Sequence, residues 1–369
     1  MANPSTSARS GRRATAADGG PALPAWAGEV GWGSDVVLST RARLARNLAG
    51  LPFPGHAGED DLKTVAKQVL PVARHREKDY APLRAVEIGK LGDGEKTALV
   101  DSHLISVQHA AAGPERWALV DDRHTVSVMV NEEDHLRLQA ILPGFQLDAA
   151  RKIADRLDDL FASHLTYAAH PKYGYLTASL SNCGTGMRLS VMAHLPGLTL
   201  SGRAEEALAA ARTLGAAVRG PYGEHSAAAG DVYQISNAVS IGKSERSLSA
   251  SLNAVVTYLL TEEQDARELL WRGRRSEIES LVSDAQGRLK EAERLSADEA
   301  MAILSSLRLG EHLGLGTGMT SRTFNGLLAS LRIGTHLVAA RNAQSIFYEE
   351  TRRPALIRNK LREQRTLDL

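Results

Sequence analysis

Apolar positions along the chain fall into two regimes. Between Glu59 and Arg76, Leu62, Val65, Val69, Leu70 and Val72 keep a helical spacing. Strand signals follow. The run Trp117-Ala118-Leu119-Val120 and the alternation Val126, Val128, Val130 flank the polar Asp121-Asp122-Arg123, which predicts a hairpin. Ile153, Leu157, Leu160 and Phe161 predict an amphipathic helix from Asp148 to Phe161. The Gly- and Tyr-rich stretch from Tyr173 to Gly230 predicts strand pieces and exposed loops. Near residue 245 the pattern turns helical through Leu248, Leu252, Val255, Val256 and Leu259. Further on, Ser296 with Glu299 forms a capping box ahead of Ile303, Leu304 and Leu307. These patterns predict a disordered leader over residues 1–29, an α+β domain over 30–265 and an all-helical domain over 266–369.

Composition narrows the function classes. Lys and Arg number 44 against 43 Asp and Glu, and the net charge of +1 argues against a general nucleic-acid or membrane-surface binder. A single cysteine, Cys183, excludes an internal disulfide framework and a multi-cysteine zinc site. No apolar run approaches the roughly 20 residues of a membrane span. The Ala/Ser/Gly/Arg-rich start lacks the apolar stretch of a signal peptide, so a cytoplasmic location is expected.

Several familiar motifs fail. Gly242-Lys243-Ser244 resembles the end of a phosphate-binding loop, but Asn237 stands where its first glycine is required. The histidines show no metal-ligand spacing, so no protein-built metal site is expected. Four separated segments instead set arginine beside glycine or carboxylate: Ser39-Thr40-Arg41-Ala42-Arg43, Asn131-Glu132-Glu133-Asp134-His135-Leu136-Arg137, Asn182-Cys183-Gly184-Thr185-Gly186-Met187-Arg188 and Arg219-Gly220-Pro221-Tyr222-Gly223-Glu224. An extended backbone puts Arg41 and Arg43 on one face. Converging guanidinium forks would clamp a polyphosphate; taken singly, each is a surface arginine in a salt bridge.

In their order and sequence, these segments resemble the ATP:guanido phosphotransferases, the creatine and arginine kinase superfamily. Arg43–Pro54, Tyr222–Ser226, Tyr233–Gly242 and the closing Ala355–Leu361 are most similar to bacterial McsB-type protein arginine kinases. The resemblance covers about residues 30–361. It implies an antiparallel-sheet catalytic domain followed by a helical one. It implies ATP, with Mg²⁺ carried by the nucleotide, held through Ser39, Thr40, Arg41, Ala42 and Arg43, through His103 and Arg137, and through Arg188, Leu189, Ser190, Val191 and Met192. Arg219, Gly220, Pro221, Tyr222, Gly223 and Glu224 complete the implied nucleotide set. Glu133 matches the family's catalytic base and Glu224 its second guanidinium-binding acid, whereas Glu132 and Asp134 read as solvated or arginine-paired. Implied partners are proteins with exposed arginine, an activator protein, Clp-type proteolytic machinery in protein quality control, and a second copy joined through the helical domain.

Two departures stand out. Ser179 occupies the position of a family cysteine on the substrate side, and Cys183, four residues along, reads as apolar filler. In Glu349-Glu350-Thr351-Arg352-Arg353-Pro354 an acid replaces the first arginine of the family's phosphoarginine-binding motif, while Arg353 is retained. Three readings therefore stand at this point: a protein arginine kinase, a kinase of free arginine or another guanidino metabolite, and a catalytically weakened regulator. Only about 38 residues precede Ser39, where small-molecule phosphagen kinases carry a helical domain, which favours the first reading.

Overall fold

The computed structural model describes residues 23–75, 82–111, 113, 115–220, 229–331 and 343–367. Its centre is an antiparallel sheet of eight strands in the order β2-β3-β4-β5-β1-β8-β10-β9. The strands are β1 Val37–Arg46, β2 Arg84–Glu87, β3 Trp117–Val120, β4 Val126–Val130, β5 Leu136–Pro143, β8 Met187–His194, β9 Ala216–Arg219 and β10 Val232–Asn237. A separate small hairpin pairs β6 Ala169–His170 with β7 Gly174–Tyr175. The hairpin expected around Asp121-Asp122-Arg123 is β3–β4.

Alternation along the strands gives the sheet two different faces. Ala42, Leu44, Leu136, Leu138, Leu189, Val191 and Ile235 point to one side. There they pack under the helices Glu59–Val72, Leu147–Ala162, Ala204–Thr213 and the first half of Glu245–Gly273. The opposite face is apolar only at its flanks. Leu38, Ile141, Met192 and Val232 lie under the C-terminal helices, and Ala118 and Met129 pack with Ile88, Val100 and Ile105. Between these two clusters the same face carries charged and polar side chains. A stretch of sheet flanked by dry cores yet lined with guanidinium groups is costly unless a ligand compensates it.

The helix Glu245–Gly273 runs across the expected junction at 265/266. It stays buried through Glu263, Ala266, Arg267 and Leu270, and Arg267 Nε donates to Glu263 Oε1 at 2.6 Å. The helices Arg275–Glu291, Ala297–His312, Ser321–Ser330 and Ala343–Leu367 follow. The capping box is present, with Ser296 N–H donating to Glu299 Oε2 at 2.9 Å and Glu299 N–H to Ser296 Oγ at 3.2 Å.

Two expectations are corrected. The leader expected over 1–29 includes residues that the structure packs: Ala25–Gly28 form a helical turn, and Trp26 is buried with Nε1 donating to Ser102 O at 3.0 Å. The loop-rich reading of 173–230 also missed the helices Pro196–Leu200 and Ala204–Thr213. The second is an Ala/Glu/Arg sequence of high helix propensity. Among the described residues no helix is long and apolar enough to cross a membrane.

Candidate active site

Strand register brings the arginines together. Arg43 lies opposite Arg188 across the β1–β8 pair and opposite Gln139 across β1–β5. Arg41 is two residues along β1 on the same face, and Arg137 reaches that face from β5. With Arg219 at the end of β9 they line a cleft of about 450 Å³. Like charges directly opposite in a sheet repel. Burial and this repulsion act in the same direction on Arg41 and Arg43. Burial, with Arg137 and Arg188 nearby, pushes Arg41 down to about 9. Burial beside Arg41, Arg137 and Arg188 holds Arg43 well below its ordinary value. Arg43 Nε is buried with no hydrogen-bond partner among the described residues. This is the electrostatic signature of a site that completes itself with a polyanion.

The acidic turn between β4 and β5 sorts its three carboxylates. Asn131 adopts a left-handed φ of 60° and closes the turn, its N–H donating to His135 O at 2.9 Å. Glu132 folds inward, accepts Arg137 Nη1 at 2.8 Å and accepts the Ser106 hydroxyl at 2.6 Å. Burial opposes its ionisation, but Arg137 and Ser106 outweigh this and bring it down to about 2. Asp134 is neither solvated nor arginine-paired, contrary to expectation. It is buried and accepts Asn47 Nδ2 at 2.6 Å and the Ala178 N–H at 2.7 Å, tying the turn to the 176–188 segment. Glu133 alone of the three is exposed, and it stands at the tip of the turn on the cleft.

Facing the turn are Ser179, Ser181 and Asn182. Ser179 Oγ lies 2.9 Å from Ser181 Oγ. The loop is held tightly from behind. Gly186 has φ 69°, and a Cβ there would collide with the Arg46 guanidinium and the Ala45 carbonyl, so only glycine fits. Cys183 is buried, its Sγ 3.3 Å from Thr177 Oγ1, and it does not line the cleft. Its packing role follows.

His103 lies at the other end of the cleft with φ 58°, its ring 5.3 Å from that of Trp26. Gln139 Nε2 donates to its carbonyl at 2.7 Å. Burial and the neighbouring Arg41 and Arg43 push its imidazole down to about 3, so it meets a ligand uncharged. Ser39, Ser190 and Met192 share this end with Arg41 and His103. Thr40, Ala42, Leu189 and Val191 do not join them. Alternation turns their side chains to the opposite face, where Ala42, Leu189 and Val191 enter the core and Thr40 Oγ1 donates to Gly144 O at 2.6 Å. Gly220 is buried just beyond β9, while Pro221, Tyr222, Gly223 and Glu224 lie outside the described residues.

The structure adds residues the motifs did not flag. Gln234 Oε1 accepts Arg41 Nη2 at 2.8 Å, and Ser236 Oγ accepts Arg188 Nη2 at 3.1 Å. Arg116 joins the lining, its Nη1 donating to Gln108 O at 3.2 Å. Alternation on β10 carries the signal for two of them: Gln234 and Ser236 are polar at the face shared with the arginines. Ser236→Ala should leave the fold intact and lower turnover about 3- to 10-fold by removing one of the contacts that orient Arg188. Steady-state rates at saturating nucleotide check this. An unchanged rate would mean that Arg188 is oriented without this contact.

The donor set fits a nucleotide polyphosphate: fixed cations, a buried unpartnered guanidinium nitrogen and a neutral imidazole at one end. It also fits Mg²⁺ held chiefly by phosphate and water. Among the described residues no three His, Cys, Asp or Glu gather as a cage, and Glu132 and Glu133 are the carboxylates of the cleft. In the helical region, Arg353 is buried with Nε donating to Leu331 O and Nη1 to Leu295 O, both at 3.2 Å. Glu349 is buried nearby and paired with Arg352.

An antiparallel sheet bearing this arginine face defines an ATP:guanido phosphotransferase catalytic domain, whose C-terminal catalytic-domain family model matches residues 64–266. Residues 275–368 match the C-terminal domain of the protein-arginine kinase McsB. The chain belongs to the protein-arginine kinase family. It is 40% identical to the protein-arginine kinase of Halothermothrix orenii, over 84% of this chain and 88% of that protein. It is 39% identical to that of Moorella thermoacetica, over 91% of this chain and 97% of that protein. The duplicated taurocyamine kinase of Schistosoma mansoni shares the fold, with a TM-score of 0.59 at 22% identity over 67% of this chain and 36% of that one.

Proposed function

We propose that this enzyme transfers the γ-phosphoryl group of ATP to arginine side chains of proteins. The observation that carries the reading is the meeting of Arg41, Arg43, Arg137, Arg188 and Arg219 in one cleft with Glu133 at its mouth. The migrating phosphoryl group spreads charge over three oxygens, and preorganised guanidinium groups stabilise it without reorganisation. Mg²⁺, arriving with the nucleotide, neutralises phosphate charge. An arginine acceptor stays cationic well above neutral pH and is a poor nucleophile until a carboxylate orients it and takes its proton. Glu133 supplies that carboxylate, and Glu224 is proposed as the second. Glu132 is committed to Arg137 and serves as scaffold.

The test is incubation of the purified chain with Mg-ATP and an unfolded protein, a short arginine peptide or free arginine. Acid-labile phosphate is expected on protein and peptide arginine. Phosphorylation of free arginine alone would turn the reading to a metabolite kinase, and silence toward all three would favour the regulator.

Ser179 supports an active enzyme whose acceptor pocket lacks one negative charge. Ser179→Cys should raise the rate a few-fold, with a gain that grows as pH passes the thiol pKa, held below about 8.5 by the adjacent arginines. Cys183→Ala should change little. A pH series of phosphoarginine formation checks both, and loss of activity in Cys183→Ala alone would reassign the thiol.

The proposal extends to a cytoplasmic setting, an activator protein, delivery of marked clients to Clp-type proteolysis and a homodimer through the helical domain. Phe347 and Tyr348, 53% and 64% exposed on the last helix, support a partner surface there. Sedimentation velocity tests the dimer, and faster degradation of a phosphoarginine-bearing client by a Clp-type protease tests the delivery.

A further inference from the structure

Behind the 179–188 loop lies a second cleft, larger than the first at about 1120 Å³. Its walls are the helix Leu147–Ala162, the β6–β7 hairpin and the first turns of the helix Glu245–Gly273, and its floor includes Gly184 and Thr185. The charge on these walls is unbalanced. Arg151 pairs with Asp155 through Nη1 at 2.7 Å, while its Nε is buried without a hydrogen-bond partner among the described residues, 4.0 Å from Asp148. Lys152, Lys243 and Arg246 are exposed and make no ion pair among the described residues. Lys172 lies over the ring of Tyr173, its Nζ 5.4 Å from the centroid. Against these cations the cleft sets Asp148 and Glu245. Two apolar side chains, Tyr173 and Ile241, are each 46% exposed beside them.

We propose that this cleft docks an acidic segment of the protein substrate, outside the site of phosphoryl transfer. The inference rests on the protein-arginine reading above. The acceptor is a cation, and it must approach a cleft that already holds six arginines. With the arginines engaged by the nucleotide's phosphates, Glu133 is the exposed acid of the described lining that draws the guanidinium in, and further attraction comes from elsewhere on the substrate. Carboxylates on a flanking segment, held by Lys152, Lys243 and Arg246, supply it. A single small anion would leave most of so large a trough empty, whereas a polypeptide fills its length and covers the exposed Tyr173 and Ile241.

The two clefts share a wall. Gly184 pairs with Tyr175, its N–H donating to Tyr175 O at 3.3 Å and its carbonyl accepting the Tyr175 N–H at 2.8 Å. The approach is so close that a Cβ on Gly174 would collide with the Gly184 carbonyl. A segment resting on Lys172 and Tyr173 therefore sits one hairpin away from Ser179–Asn182, within the reach of a single substrate chain.

The experiment compares the full chain with the variant Lys152→Glu/Lys243→Glu/Arg246→Glu. Binding of a fluorescent ten-residue glutamate peptide is followed by anisotropy at low and high salt, and KM is measured for an acidic unfolded protein and a short neutral arginine peptide. The wild type should bind the glutamate peptide in a salt-sensitive manner, and the variant at least about tenfold more weakly. KM for the protein should rise by a similar factor, with kcat and the short-peptide KM unchanged. Equal binding of the glutamate peptide by both forms, or an unmoved protein KM, would overturn the proposal. So would a cleft that binds inorganic tripolyphosphate but not the glutamate peptide. A wild type that binds the peptide yet makes no phosphoarginine would count against the kinase reading alone.

Discussion

Glu133→Gln should bind ATP almost as the wild type does and turn over about 10²–10⁴-fold more slowly. The substitution keeps the side chain's size and removes only its charge and basicity. Geometry separates Glu133 from its neighbours. Glu132 accepts Arg137 Nη1 at 2.8 Å and the Ser106 hydroxyl at 2.6 Å, and Asp134 holds Asn47 and the Ala178 N–H. Arg137 and Ser106 hold the Glu132 carboxyl low, and Glu132 and Asp134 are both buried, so neither is placed to serve an incoming guanidinium. Glu132→Gln should fail differently. It takes from the half-buried Arg137 the carboxylate it is paired with, a loss that appears in stability and nucleotide affinity together. Thermal melts, ATP titrations and single-turnover rates for both variants distinguish the roles. Near-wild-type turnover in Glu133→Gln would remove it from the chemistry.

Much of this site was legible in the sequence, because a strand that alternates apolar with charged residues states which side chains share a face. Arg41 and Arg43 were read that way, and β1 bears it out. The same rule, applied residue by residue, also turns the side chains of Thr40, Ala42, Leu189 and Val191 away from the arginine face, leaving their backbone as the part that reaches it. Gln139, Gln234 and Ser236 were missed because a polar residue in a strand reads as solvent-facing until the neighbouring strand is known. Asp134 and Trp26 were misjudged for a related reason. Their burial depends on partners far along the chain: Asn47 and Ala178 for the first, Ser102 and the helical core for the second. Local periodicity carries no record of such contacts.

Removing Arg43 should weaken function and spare the fold, an inversion of what truncating a buried side chain ordinarily does. The residue is 9% exposed, lies opposite Arg188 in the β1–β8 register, and has Nε buried without a partner among the described residues. Burial and the surrounding arginines hold it well below its ordinary pKa, so in the absence of an anion it is a source of strain. Arg43→Ala relieves that repulsion, and the melting temperature without nucleotide should hold or rise. With ATP present the balance reverses, because a fixed donor aimed at the phosphates has gone. Turnover should fall about 10²–10³-fold, and the stabilisation that ATP confers should shrink. Arg43→Lys should not restore either, since a point charge lacks the planar fork that spans two phosphate oxygens. Melting curves with and without Mg-ATP, read beside the rates, give the answer. A variant destabilised without nucleotide, yet unimpaired in turnover, would make Arg43 a structural residue and leave the cleft's charge to the other five arginines.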